Sequence, residues 1–153
     1  MSISTRCYTF AIAAALFTTP MAFSQSAPQG WKVITDSKKL CQVMVPADWV
    51  ADKIMTSMAT APDKKTNVVV HGLPAGTDFA QTIASAKQIF PPVKVYEETA
   101  GKVLFSSKHN GTPGVDWYFA TAGSQVCNAQ LSLAEAIPEA VAKQIVASLG
   151  PKK

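Results

Sequence analysis

Hydrophobic and polar positions alternate along much of the chain, and the elements change where that period changes. Trp31 to Thr35 (WKVIT) and Leu40 to Val45 (LCQVMV) are rich in β-branched and aromatic residues. They read as two strands joined by the polar turn Asp36-Ser37-Lys38-Lys39. On the second strand Cys41, Val43 and Val45 share one face, with Gln42 and Met44 on the other. Pro46 ends it, lacking the amide hydrogen a ladder needs, and Trp49 folds back over the core edge. Lys53 to Ala61 (KIMTSMATA) reads as a further strand. After a Pro-Asp-Lys-Lys turn, the three consecutive valines of Thr66 to His71 (TNVVVH) predict a strand covered on both faces.

The period then becomes helical. Asp78 with Gln81 forms a capping-box variant, and Phe79, Ile83, Ala86 and Phe90 repeat along one side until Pro91-Pro92 stops the helix. Alternation returns in VKVYE (93–97) and KVLFSSK (102–108). Asn110-Gly111, followed by Pro113-Gly114, is a hairpin signal leading into VDWYFAT (115–121). There Val115, Trp117, Phe119 and Thr121 oppose Asp116, Tyr118 and Ala120. Gln125 to Leu133 sets Cys127, Ala129, Leu131 and Leu133 against Val126, Asn128, Gln130 and Ser132. Pro138 opens a second helix with a stripe of Val141, Ile145 and Leu149, ended by Gly150-Pro151. Strands, a helix, a run of hairpins and a closing helix, without βαβ alternation, predict an α+β domain. Its plan is an antiparallel sheet with two main helices packed on it.

The first residues depart from this pattern. Met1 to Ser24 has Arg6 as its one charge, an apolar run from Tyr8 to Phe17, and the small-residue site Ala22-Phe23-Ser24, the layout of a cleaved secretory signal. A run of about ten residues falls short of the ~20 that span a bilayer. The expected organisation is a signal peptide over 1–24, a flexible lead over 25–30, one domain over 31–150 and a tail over 151–153. Export predicts a periplasmic or secreted protein with no membrane attachment after cleavage. Cleavage removes Cys7 and leaves Cys41 and Cys127, which an oxidising compartment would join in a disulfide. It also removes Arg6, so the 14 basic residues become 13, all lysine, against 10 acidic ones. A chain without the guanidinium fork is poorly equipped to read nucleic-acid sequence or to clamp phosphate. No nucleic-acid partner is expected.

Candidate chemistry is sparse. His71 and His109 with Met44, Met55 and Met58 carry donors that suit copper or zinc. The spacing lacks His-x-x-x-His, however, and strand-end histidines with core methionines explain the same residues. Thus no metal or cofactor is expected, and a copper- or zinc-handling protein is the alternative. His109 with Asp116 across the hairpin would orient an imidazole, although a hairpin tip is exposed. No G-x-S-x-G elbow occurs, so no catalytic residue is assigned, and an enzyme with an unrecognised site is the second alternative. Trp49, Tyr96 and Tyr118 are the candidates for a ligand groove if they edge one surface. Packing of the same rings into the core is the competing account.

The strand-Pro-x-x-Trp unit at Val43 to Trp49, the central helix, the hairpin run containing GVDWYFA and the closing amphipathic helix together resemble the PsbP-like αβα-sandwich family. That resemblance covers most of the chain after residue 24 by element order. It implies binding or assembly roles more than catalysis, and it transfers no functional residue. The functional expectation is an exported, non-catalytic module that binds an unidentified protein or small molecule, with its oligomeric state open.

Overall fold

The computed structural model describes residues 27–111 and 113–152. The proposed signal sequence, Cys7, the first residues of the lead and Lys153 lie outside the described residues. Among the described residues no helix is long and apolar enough to cross a membrane.

The chain begins as a hairpin of β1 (Trp31–Thr35) and β2 (Cys41–Pro46). The turn between them is built by Asp36, whose carboxylate accepts the amide hydrogens of Lys38, Leu40 and Cys41 at 2.9, 2.7 and 2.6 Å. The buried carboxylate thus supplies partners locally for the turn amides, including the buried one of Cys41. Trp31 donates its amide hydrogen to the Pro28 carbonyl, and Ala47 donates to that of Gly30. Trp49 is buried, with its amide donating to the Pro46 carbonyl.

The sequence pattern predicts a strand over 53–61, and here the structure differs. Only β3 (Val50–Ala51) and β4 (Met58–Thr60) pair. Asp52 accepts hydrogen bonds from the amides of Ile54 and Met55 at 2.8 and 2.6 Å, a local turn that competes with ladder formation. Those two amides hold the Asp52 carboxyl below its usual range. Next come β5 (Asn67–Gly72) and α1 (Phe79–Ile89), the latter capped by the Asp78 carboxylate on the Gln81 amide at 3.1 Å. A meander of β6 (Pro92–Glu98), β7 (Lys102–Lys108), β8 (Val115–Thr121) and β9 (Cys127–Ser132) follows. The chain closes with a short 3₁₀ turn at Ala134–Ala136, α2 (Glu139–Ala147) and β10 (Gly150–Pro151).

The fold is α+β, but its strands form two antiparallel sheets rather than one. The larger runs β3-β4-β5-β9-β8-β7-β6, and the smaller runs β1-β2-β10. Residues 150–151, expected as a helix stop and a tail, instead pair with Gln42 and Cys41, and Lys152 donates its amide hydrogen to the Leu40 carbonyl at 2.8 Å.

Each face of the large sheet has its own core. On one, Val68, Val70, Trp117, Phe119, Ala129 and Leu131 pack with Ile34, Val43 and Val45 of the small sheet and with Ala142 and Ile145 of α2. The expected α2 stripe of Val141, Ile145 and Leu149 packs in this core, with Val141 half-buried and Ala142 fully buried beside it. Cys41 and Cys127 lie in this layer, disulfide-bonded with Cα atoms 5.7 Å apart and both fully buried. On the other face Ile83 and Ala86 of α1 cover Val103, Phe105, Tyr118 and Ala120.

Candidate functional site

Alternation decides what lies beneath α1. Because Val68 and Val70 point into the first core, Val69 and His71 of β5 point to the α1 side, and on β9 the same parity presents Asn128 and Gln130 there. One helix cannot cover a sheet this wide. It seats over β7 and β8, leaving β5 and β9 with Val69 only half-buried and His71 exposed. The valine strand is therefore covered on one face, not two.

The uncovered strip and the near side of α1 bound a cavity of about 660 Å³, lined by His71, Gln81, Thr82, Ser85, Asn128 and Gln130 among others. A second cavity of about 620 Å³ lies beyond it, between the Phe90–Val93 segment and the β7–β8 hairpin. Ile89, Phe90 and Gln130 line both, so the two form one trough along α1. Both volumes fall in the range of small-molecule sites.

Three rings run up to the trough. Phe105 and Tyr118 stack with centroids 5.1 Å apart, and Tyr118 and Phe90 at 6.1 Å, with interplanar angles of 27° and 25°. Burial pushes the Tyr118 phenol up to about 12, while a hydrogen bond with the Asn128 side chain acts in the opposite direction. The phenol is thus a neutral hydroxyl at any ordinary pH.

At the far end His109 Nδ1 meets Asp116 Oδ1 at 2.7 Å. Asp116, 5% exposed, also accepts from Gln130 Nε2 at 3.0 Å and from the Leu133 amide at 2.9 Å. The expectation that a hairpin tip is open to water therefore fails for the carboxylate, because the 3₁₀ turn packs over it. Gly114 marks that contact. Its φ is 142°, and a Cβ there would come within 2.5 Å of Leu133 Cδ2 and 2.6 Å of Glu135 Oε1. Ser107 lines the same cavity, but among the described residues no serine hydroxyl is hydrogen-bonded to the imidazole.

The three aromatic groove candidates are not brought together. Trp49 is buried in the core shared with the small sheet. Tyr96 packs on Trp117 with ring centroids 5.4 Å apart, under Lys94 Nζ at 4.8 Å from its centroid. Trp117 and Tyr118 are adjacent on β8 and point to opposite faces, so Tyr96 and Tyr118 lie on opposite sides of the sheet. Only Tyr118 borders the trough. The parity of Asn128 and Gln130 was readable from the sequence. The shortfall of helix over β5 and β9, which turns that parity into a site, was not.

The methionines of the copper or zinc alternative lie on different elements: Met44 is buried on β2, Met55 is exposed in the 52–57 loop, and Met58 sits on β4. Among the described residues no group of three His, Cys, Asp or Glu side chains is arranged to hold a metal ion.

No family model matches the chain, and no curated protein matches it either. Among solved structures it is similar to cyanobacterial PsbP (CyanoP) from Synechocystis sp. PCC 6803, determined in solution. The identity is 12%, over 84% of this chain and 96% of that one, with a TM-score of 0.42. A likeness at that level assigns no residue a role.

Proposed function

We propose that the protein is an exported, non-catalytic module that binds a small ligand in the trough beside α1. One observation carries the reading. The α1 side of β5 and β9, together with the facing side of α1, is lined by amides, hydroxyls and an imidazole in a cavity of about 660 Å³. Converging polar groups on a concave surface, held by a helix and a sheet, are the usual form of a ligand site. Export is supported by the pattern of Met1 to Ser24 and by the buried Cys41–Cys127 disulfide.

Screening a fragment library against ¹⁵N-labelled protein tests this directly. Hits should move the amides of Gln81, Thr82, Ser85, Asn128 and Gln130 together. Ser85→Phe, at an exposed helix position, should fill the trough and abolish those shifts without unfolding the protein. A library whose hits fall elsewhere, or shifts that survive Ser85→Phe, would overturn the assignment.

A further inference from the structure

We infer that the His109 end of the trough selects a neutral aromatic ligand carrying a hydrogen-bond donor, such as a phenol or an indole. This rests on the trough being a ligand site and adds what chemistry it prefers. The argument starts from Asp116. An ionised carboxylate can only accept, and this one already takes hydrogen bonds from His109, Gln130 and the Leu133 amide. It therefore fixes the proton of a neutral His109 on Nδ1. Nε2 is left as an acceptor with no partner among the described residues. His109 lines the second cavity, so that acceptor belongs to the wall a ligand would meet.

Another part of that lining is apolar. Phe90, Pro91, Pro92 and Val93 line it with Ile89, and Ile89 and Val93 are 70% and 59% exposed. Side chains so uncovered gain from an apolar body laid against them. Phe90 is also the outermost ring of the Phe105–Tyr118–Phe90 stack, so a flat aromatic ligand would add a fourth member to an offset series already present. An acceptor residue and an aromatic and aliphatic patch line one cavity of about 620 Å³. That pairing selects an aromatic body with one N–H or O–H. Among the described residues the charged side chains on this lining are Lys108 and Asp116, and most of the carboxylate's acceptor sites are already taken.

Indole and 1-methylindole separate the two parts of the claim, since methylation keeps the fused rings and removes the donor. Each is titrated into ¹⁵N-labelled protein under the same conditions. Indole should bind about tenfold more tightly than 1-methylindole, the usual worth of one hydrogen bond, and should shift the amides of Phe90, His109 and Asp116. In His109→Ala the two probes should bind alike. Because that substitution also removes a partner of a buried carboxylate, Phe90→Leu serves as the second variant. It leaves the dyad in place and should weaken both probes while preserving their ratio. Equal affinity for the two probes in the natural protein would overturn the inference, as would a preference for indole that survives His109→Ala. Shifts confined to Gln81, Ser85 and Asn128 would retain the trough as a site and remove the aromatic-donor preference. A trough that no fragment reaches would remove both.

Discussion

Removing the Asp116 carboxylate would strand the Leu133 amide and the Gln130 side chain and free the His109 ring in one step, since all three donate to it. Buried donors left without partners cost about 1 to 3 kcal/mol each. Asp116→Ala should therefore lower stability by about 3 kcal/mol, read as a drop in the urea midpoint. His109→Ala leaves the other two bonds intact and should cost less than half as much. Equal losses would mean that the carboxylate serves the imidazole alone. Tyr118 gives a second residue-scale test. Its folded pKa of about 12 stands above the unfolded value near 10, so the contribution is complete below pH ~10 and is lost as pH rises from 10 to 12, where only the unfolded chain ionises. Each pH unit in that window should remove up to about 1.4 kcal/mol from this residue. Tyr118→Phe should flatten that part of the stability profile. The His109–Asp116 approach was suggested in the sequence by the placement of the two residues across the hairpin. The burial of Asp116 was not, because the 3₁₀ turn that covers it comes from a segment with no strand or helix period of its own.

Elements were readable where a local device sets them. Asp78 before the Phe79, Ile83, Ala86 stripe names the start of α1, and Pro91-Pro92 names its end. Asp78→Ala should cost about 1 kcal/mol, since it removes the one side-chain cap seen on that helix. Far-UV circular dichroism during thermal melting would register the loss. Elements set by distant partners were missed. Residues 53–57 carry strand-like composition, yet Asp52 captures the amides of Ile54 and Met55 and turns the chain. Gly150-Pro151 looks like a stop signal, although α2 already ends at Ala147 with Ser148 as its C-cap. Only the free edge of β2 makes the same two residues a strand. Gly114→Ala should be strongly destabilising, because the left-handed φ and the close approach of Leu133 and Glu135 act together.

At the scale of the molecule, the α+β class and the two helices followed from element order, and the division into two sheets did not. Nothing local tells β2 to pair with β1 and β10 while the rest of the strands form a separate ladder. The disulfide joins those sheets across a sequence separation of 86. Closing a loop of that length is worth roughly 4 to 5 kcal/mol in the chain-entropy model. Cys41→Ser should lower the melting temperature clearly while leaving the fold in place. Reducing the natural protein should reproduce that change, and a melting temperature indifferent to both would show that the bridge contributes nothing. At the outer edge of the large sheet, β6 is exposed throughout its length, and its two register shifts and Lys94 discourage pairing with another chain.

The pairing of Gly150 and Pro151 with Gln42 and Cys41 also fixes the order of events during synthesis. A ribosome delivers β2 early, yet Cys41 stays without its sulfur partner until Cys127 has been made, and one edge of the strand without a neighbour until Gly150 and Pro151 have followed. The amino-terminal hairpin can form during translation, but it cannot be locked then. Completion is a late event, so a nascent chain paused before Cys127 should remain sensitive to protease even with β1 through β8 already outside the tunnel. Tags fused directly after Leu149 in place of residues 150–152 should trap the protein with an unfinished small sheet, whereas the same tags placed beyond Lys152 through a flexible linker should be tolerated.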